Sequence, residues 1–155
     1  MIKNERQYRI TKAQATKLEE ALEQVMSASD EASAVHPRLR QAQADALRSQ
    51  LTELHAQLEA YDALRSQRQT AFAIASFEAF PRVLIQARIA AGMSQRELAE
   101  RLGLKEQQVQ RYEATEYRSA SWSRVSEVIQ ALGLRVEDEI VLSAPQHGPE
   151  GEATS

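Results

Sequence analysis

The segment Ser94–Glu113 constrains the fold of this chain more than any other. Ser94 with Glu97 three residues later is the capping-box pattern, which predicts that a helix begins here. Gly103 suits the left-handed backbone conformation in which helices commonly end. The apolar residues of the segment recur at helical spacing and are Leu98, Ala99, Leu102, Val109 and Tyr112. The segment therefore predicts two short helices joined by a tight turn.

The second of these helices is expected to start near Lys105 and to carry a polar outer face. Its outward residues are Glu106, Gln107, Gln108, Gln110 and Arg111. Two helices at this spacing form a helix-turn-helix unit, in which the second helix enters the major groove of DNA. The pattern thus indicates a surface that reads double-stranded DNA.

Charge is distributed unevenly along the chain. Residues 1–75 carry 10 basic and 10 acidic side chains, residues 76–133 carry 8 and 7, and residues 134–155 carry 1 and 5. The net charge of -3 therefore comes from the carboxyl-terminal segment. Because affinity for phosphates rises with the number of basic contacts, a single copy should bind DNA modestly, and a homodimer is expected.

Residues 1–70 are predicted to form a helical hairpin for dimerisation or partner binding. Gln7–Ile10 is expected to be extended, and a helix is expected over Thr11–Ser27 with a threonine as its cap. The second helix, Pro37–Ser66, begins with a proline that suits a first turn. Packing the two helices against each other would bury the apolar stripe of each.

A heptad seam runs along the second helix of this hairpin. It consists of Leu47, Leu51, Leu54, Leu58 and Tyr61. The seam is short for an independent coiled coil. It forms either the core of the hairpin or, in part, an interface with a second protomer or a partner protein.

Residues 71–134 are predicted to form a compact domain of four helices, so that the fold class is all-α. Ser76 could cap the first helix, provided that Pro81 lies within its first turn. The apolar residues of that helix are Phe77, Phe80, Leu84, Ile85 and Ile89. The closing helix ends at Gly133, and its apolar residues are Trp122, Val125, Val128, Ile129 and Leu132.

Residues 135–142 have β-branched side chains near both ends and predict one short strand. A lone strand needs a partner, either the same strand of a second copy or the extended Gln7–Ile10. Val136 and Ile140 would belong to such an interface. The composition of residues 143–155 predicts a disordered tail.

The sequences LIQARIAAGMSQRELAERLGLKEQQVQRYE and WSRVSEVIQALGL resemble helix-turn-helix domains of the Xre/Cro-repressor type, over about residues 77–133. The resemblance implies a lambda-repressor-like fold in which Gln95 contacts a phosphate and Glu113 is structural. The base-reading positions implied are Glu106, Gln107, Gln108 and Arg111.

Two other residues are expected at DNA phosphates, Lys105 and Arg118. The loop Ala114–Ser121 departs from the family pattern, because it lacks the usual glycine after Glu113 and is one residue longer. Tyr117, Arg118 and Ser119 occupy the place where phosphates are normally touched. Arg88 and Arg96 are interpreted as surface or intradomain pairs in preference to DNA contacts.

These features favour a dimeric transcriptional repressor. Proteins with a reading domain and an accessory helical segment resemble antitoxins of type II toxin–antitoxin pairs, in which the accessory segment grips a toxin. The alternatives are a stand-alone or phage-type regulator and a helix-turn-helix that serves only as a packing module.

Enzymatic activity is not expected. The chain has no cysteine, and His36, His55 and His147 are scattered, so neither a metal site nor a cofactor site is predicted. No apolar run is long enough to span a bilayer, and a cytoplasmic location is expected.

Overall fold

The computed structural model describes residues 1–27, 36–66 and 71–137. Within these ranges the chain forms six α-helices, which confirms the predicted all-α class for this part of the chain. They are α1 (Glu5–Ser27), α2 (Pro37–Arg65), α3 (Phe80–Ala90), α4 (Gln95–Leu102), α5 (Glu106–Ala114) and α6 (Trp122–Ala131).

Helices α1 and α2 pack together as the predicted hairpin. Their pairing is antiparallel, because the Tyr8 hydroxyl donates to Asp62 over 2.9 Å while His55 lies 3.1 Å from Glu19 further along. Each helix buries a small side chain within the hairpin region, Ala15 of α1 and Ala44 of α2.

At the amino terminus the structure differs from the sequence prediction. Gln7–Ile10 lies inside α1 and is not extended. Asn4 caps this helix, because its side-chain oxygen accepts from the backbone N–H of Gln7 over 2.9 Å. Thr11 is therefore an interior residue, and Gln7–Ile10 is not available as a partner strand because its backbone is helical.

The heptad seam is divided between buried and half-buried positions. Leu51 and Tyr61 are buried, and Leu64 continues the buried stripe beyond them. Leu47, Leu54 and Leu58 are half-buried. Part of the seam thus belongs to the intramolecular core, and its role toward a partner stays a prediction.

The base of the hairpin and the four later helices share one hydrophobic core. Ile2, Tyr61 and Leu64 pack in the same cluster as Leu84 and Leu98. The two predicted segments, residues 1–70 and 71–134, therefore share a hydrophobic core in the described structure. Their division into separate folding units stays a prediction.

Two aromatic residues that the sequence placed on buried helical faces lie at the surface. Phe77 precedes α3 in a short 3-10 turn and is 71% exposed, and Trp122 at the start of α6 is 63% exposed. Their rings stack with centroids 6.0 Å apart. The helix itself begins at Phe80 because Pro81 is suited to a first turn and not to an interior.

The predicted strand is not supported. Residues 135–137 have no regular structure, and Val136 is 54% exposed. Ile140 and the rest of residues 138–155, including the tail, lie outside the described residues.

Candidate nucleic-acid interface

Helix α4 begins and ends as the sequence predicts. The Ser94 hydroxyl accepts from the backbone N–H of Glu97 over 3.1 Å, and the Glu97 carboxylate accepts from the backbone N–H of Ser94 over 2.7 Å. The Ser94 backbone N–H, and then its hydroxyl, lower the pKa of Glu97. Gly103 ends the helix with a φ of 65°. The turn is therefore set by local chemistry.

Helix α5 is held against the core by its inner face. Val109 and Glu113 are fully buried, and Leu98 of α4 is buried as well. The opposite face of α5 consists of exposed polar residues, which include Gln107 and Arg111. The predicted reading helix thus exists, with its polar face open to an approaching duplex.

The four predicted base-reading residues differ in how free their side chains are. The Gln108 side-chain oxygen accepts from the backbone N–H of Lys105 over 3.1 Å and so caps α5. Glu106 accepts from Gln110 over 3.0 Å. Among the described residues, the side chains of Gln107 and Arg111 have no hydrogen-bond partner. Their base-reading roles stay predictions, and the geometry leaves these two the most available.

The three residues predicted to contact phosphates differ in exposure and in hydrogen bonding. Gln95 is only 6% exposed, and its amide donates to the Glu113 carboxylate over 2.7 Å. Lys105 stands exposed just before α5, and Arg118 is exposed beside Thr115. Because the Gln95 side chain is already bonded, a phosphate beside it would contact mainly backbone N–H groups at the start of α4. The exposed side chains of Lys105 and Arg118 are free to reorient toward a phosphate.

A buried ion pair fixes α5 to α3. The Arg88 guanidinium donates to both Glu113 oxygens, over 2.5 and 2.9 Å, and both side chains are at most 3% exposed. Arg88 also donates to the carbonyl oxygen of Met93 over 2.7 Å. The interpretation of Glu113 as structural and of Arg88 as an intradomain pair is confirmed. Arg96 pairs with Glu100 on the surface.

In the loop after α5, residues other than glycine adopt the positive φ angles that a glycine would accommodate without strain. Glu116 and Tyr117 adopt positive φ angles of 49° and 57°. The Tyr117 ring is buried and stacks on Tyr112 with centroids 6.2 Å apart, which anchors the strained backbone. Burial raises the pKa of Tyr117, and the Glu113 carboxylate raises it further. Tyr117 is thus a core residue and not part of a phosphate-contacting surface.

Sequence reasoning missed the participation of the amino terminus. The Lys3 ammonium donates to the carbonyl oxygen of Glu113 over 2.6 Å, and Asn4 donates to the Gln95 side chain over 3.1 Å. These partners lie about a hundred residues away along the chain, so no local pattern could have indicated them.

Residues 84–138 match the helix-turn-helix family model. The match covers somewhat more than a third of the chain and includes α4, α5 and α6. It supports the predicted helix-turn-helix family and suggests a DNA-binding transcriptional regulator. No curated protein and no solved structure matches the chain. In residues 1–27, 36–66 and 71–137, no helix combines the length and apolarity needed to cross a membrane.

Proposed function

We propose that this protein is a sequence-specific transcriptional repressor that binds an operator palindrome as a dimer. The observation that carries the proposal is the exposed face of α5, where Gln107 and Arg111 have no side-chain partner in the part of the chain that the structure describes. Glutamine can bond adenine bidentately, and arginine can do the same with guanine. The buried Arg88–Glu113 pair holds the helix that presents them.

The dimer follows from the electrostatics of the helix-turn-helix segment. With a net charge of only +1 over residues 76–133, one copy neutralises few phosphates. Two copies double the number of contacts and match the two-fold symmetry of a palindrome. The half-buried seam residues of α2 and the exposed Val136 are the candidate interfaces.

The finer proposal is that the protein is the autoregulating antitoxin of a toxin–antitoxin pair. Its support is the hairpin, whose far end presents apolar side chains to solvent. Met26 of α1 and Leu39 of α2 are 58% and 62% exposed. Exposed apolar groups of this kind are suited to a protein partner.

A gel-shift assay tests the DNA-binding proposal. A duplex from the region upstream of the protein's own gene should be shifted, with affinity that falls as salt rises. If no salt-sensitive complex forms, the repressor proposal fails.

Two further experiments separate the finer alternatives. Co-expression with the product of the neighbouring gene should rescue growth if the protein is an antitoxin, and indifference would favour a regulator without a toxin. The mass in solution after deletion of residues 135–155 tests the interface. A dimer that survives removes this segment from consideration.

A further inference from the structure

We propose that the amino-terminal turns of α1 form a second contact with the DNA backbone, with Arg6 as its central residue. This inference rests on the proposed DNA-binding function and extends it to an element outside the matched residues 84–138. It concerns phosphate contact only, so it predicts affinity and salt dependence and not sequence preference.

The amino terminus is fixed to the helix-turn-helix by burial and hydrogen bonds. Ile2 is 3% exposed in the shared core. The Arg88 guanidinium donates to the carbonyl oxygen of Lys3 over 2.6 Å, while the Lys3 ammonium bonds to Glu113. Asn4 bonds to Gln95, the residue predicted to lie at a phosphate. The start of α1 is therefore held in a defined position beside the candidate DNA-binding surface.

A cleft of about 1140 Å³ lies between α1 and this surface. Arg6 and Gln7 line it from α1, Gln95 lines it from α4, and Glu106 and Gln110 line it from α5. Arg6 thus faces the same open space as the amino-terminal end of α4 and one flank of the reading helix. A sugar-phosphate strand that passes the start of α4 would lie within reach of its guanidinium.

Charge along α1 is polarised toward this cleft. Residues 1–17 contain five basic side chains and one acidic one, whereas Glu19, Glu20 and Glu23 follow in the far half without a basic residue. The acidic residue of the first group, Glu5, is paired with Arg65 over 2.9 Å. The basic side chains of α1 therefore lie toward its amino-terminal end, where the chain is bonded to the helix-turn-helix.

Arg6 and Arg9 are the two arginines of this group, and they lie nearer the cleft along α1 than the exposed Lys12 and Lys17. Both arginines are exposed, and within the described residues neither forms an ion pair. Arg6 lies nine residues from the buried Ala15, about half a turn away around the helix axis, so it is on the face opposite to the core. An arginine free of carboxylates beside a DNA-binding surface is suited to bind phosphate.

Salt-dependent binding of two duplexes tests the inference. One duplex is the upstream region and the other has a scrambled sequence of the same length. Arg6→Ala should weaken binding to both and should lower the slope of log affinity against log salt by about one, as expected for one lost phosphate contact. Arg6→Ala with Arg9→Ala should lower it further, and Arg6→Lys should largely retain the slope because it keeps the charge.

Arg38→Ala is the matched control. Arg38 is exposed near the start of α2, at the opposite end of the hairpin, so its loss removes the same charge far from the cleft. Equal slopes for Arg6→Ala and the wild type, or tighter binding by Arg6→Ala, would overturn the inference. In that case Gln107→Ala would still weaken binding to the upstream duplex if the proposed function is correct. Absence of wild-type binding would overturn both.

Discussion

At the scale of single residues, the helix-turn-helix depends on one charged pair that water does not reach. Arg88 donates to both carboxylate oxygens of Glu113, and its guanidinium also donates to the backbone carbonyl oxygens of Met93 and Lys3. Such a pair contributes little relative to apolar packing, but loss of one partner leaves a buried charge uncompensated. Its main effect is to hold α5 in one orientation.

Glu113→Gln should therefore lower the free energy of unfolding by about 3–5 kcal/mol, since Arg88 would remain buried without its counter-charge. Urea denaturation at neutral pH measures this change. Arg96→Ala serves as the control, because it breaks the exposed pair with Glu100 and should change stability little. A loss for Glu113→Gln as small as that of the control would contradict the structural role of the pair.

Gln107 and Arg111 should determine sequence preference without affecting stability. Replacement of either by alanine should reduce discrimination among operator variants by about 1–3 kcal/mol per bidentate contact, while binding to non-specific DNA persists. Competition binding with single-base operator variants measures it. Gln108→Ala is an informative comparison: its side chain caps α5, so a loss confined to helix stability would separate capping from base reading.

At the scale of elements, helices α4 and α5 could be predicted closely because their signals are local. Ser94, Glu97 and Gly103 act within a few residues, and the structure places each where its chemistry requires. The start of α1 was placed too late because Thr11 was taken as the cap, whereas Asn4 caps the helix and Gln7–Ile10 is helical. The availability of Gln107 over Gln108 depends on side-chain orientation, which periodicity does not determine.

The capping box of α4 should make stability sensitive to acid. The pKa of Glu97 is lowered by Ser94 in the folded state, so its contribution is present above the ordinary glutamate pKa and is lost as pH falls through the folded value. Glu97→Gln should be less stable than the wild type at neutral pH, and the difference should shrink in acid. Urea denaturation across a pH series checks this.

A control for this prediction is Glu59→Gln, which changes an exposed carboxylate of α2 that has no hydrogen bond within the described part of the chain. It should change stability little at any pH. A difference between wild type and Glu97→Gln that stays constant from neutral pH to acid would contradict the role assigned to the ionised carboxylate.

At the scale of the whole molecule, the shared core joins the hairpin to the helix-turn-helix. The sequence predicted residues 1–70 and 71–134 as two segments, and Ile2, Tyr61 and Leu64 of the first lie in the same hydrophobic cluster as Leu84 and Leu98 of the second. These contacts are between distant parts of the chain, and only the folded structure reveals them.

Thermal unfolding should accordingly occur in one cooperative transition. Differential scanning calorimetry should give a calorimetric enthalpy about equal to the van't Hoff enthalpy. Ile2→Ala should lower the melting temperature of the whole molecule and not of one part, because the side chain is buried in the common cluster. Two resolved transitions would contradict a single core.

Because one end of the hairpin packs in the core of the helix-turn-helix, the position of its other end is fixed relative to the DNA-binding surface. Helix α2 has 29 residues and is about 43 Å long, and its end near Arg65 is the one that packs in the shared core. A protein bound at the opposite tip would be carried at a fixed distance and bearing from the DNA. In a two-fold assembly, two partner proteins bound at the two hairpin tips would lie at a defined distance from each other. This distance would limit the size of the partners that can bind at the same time.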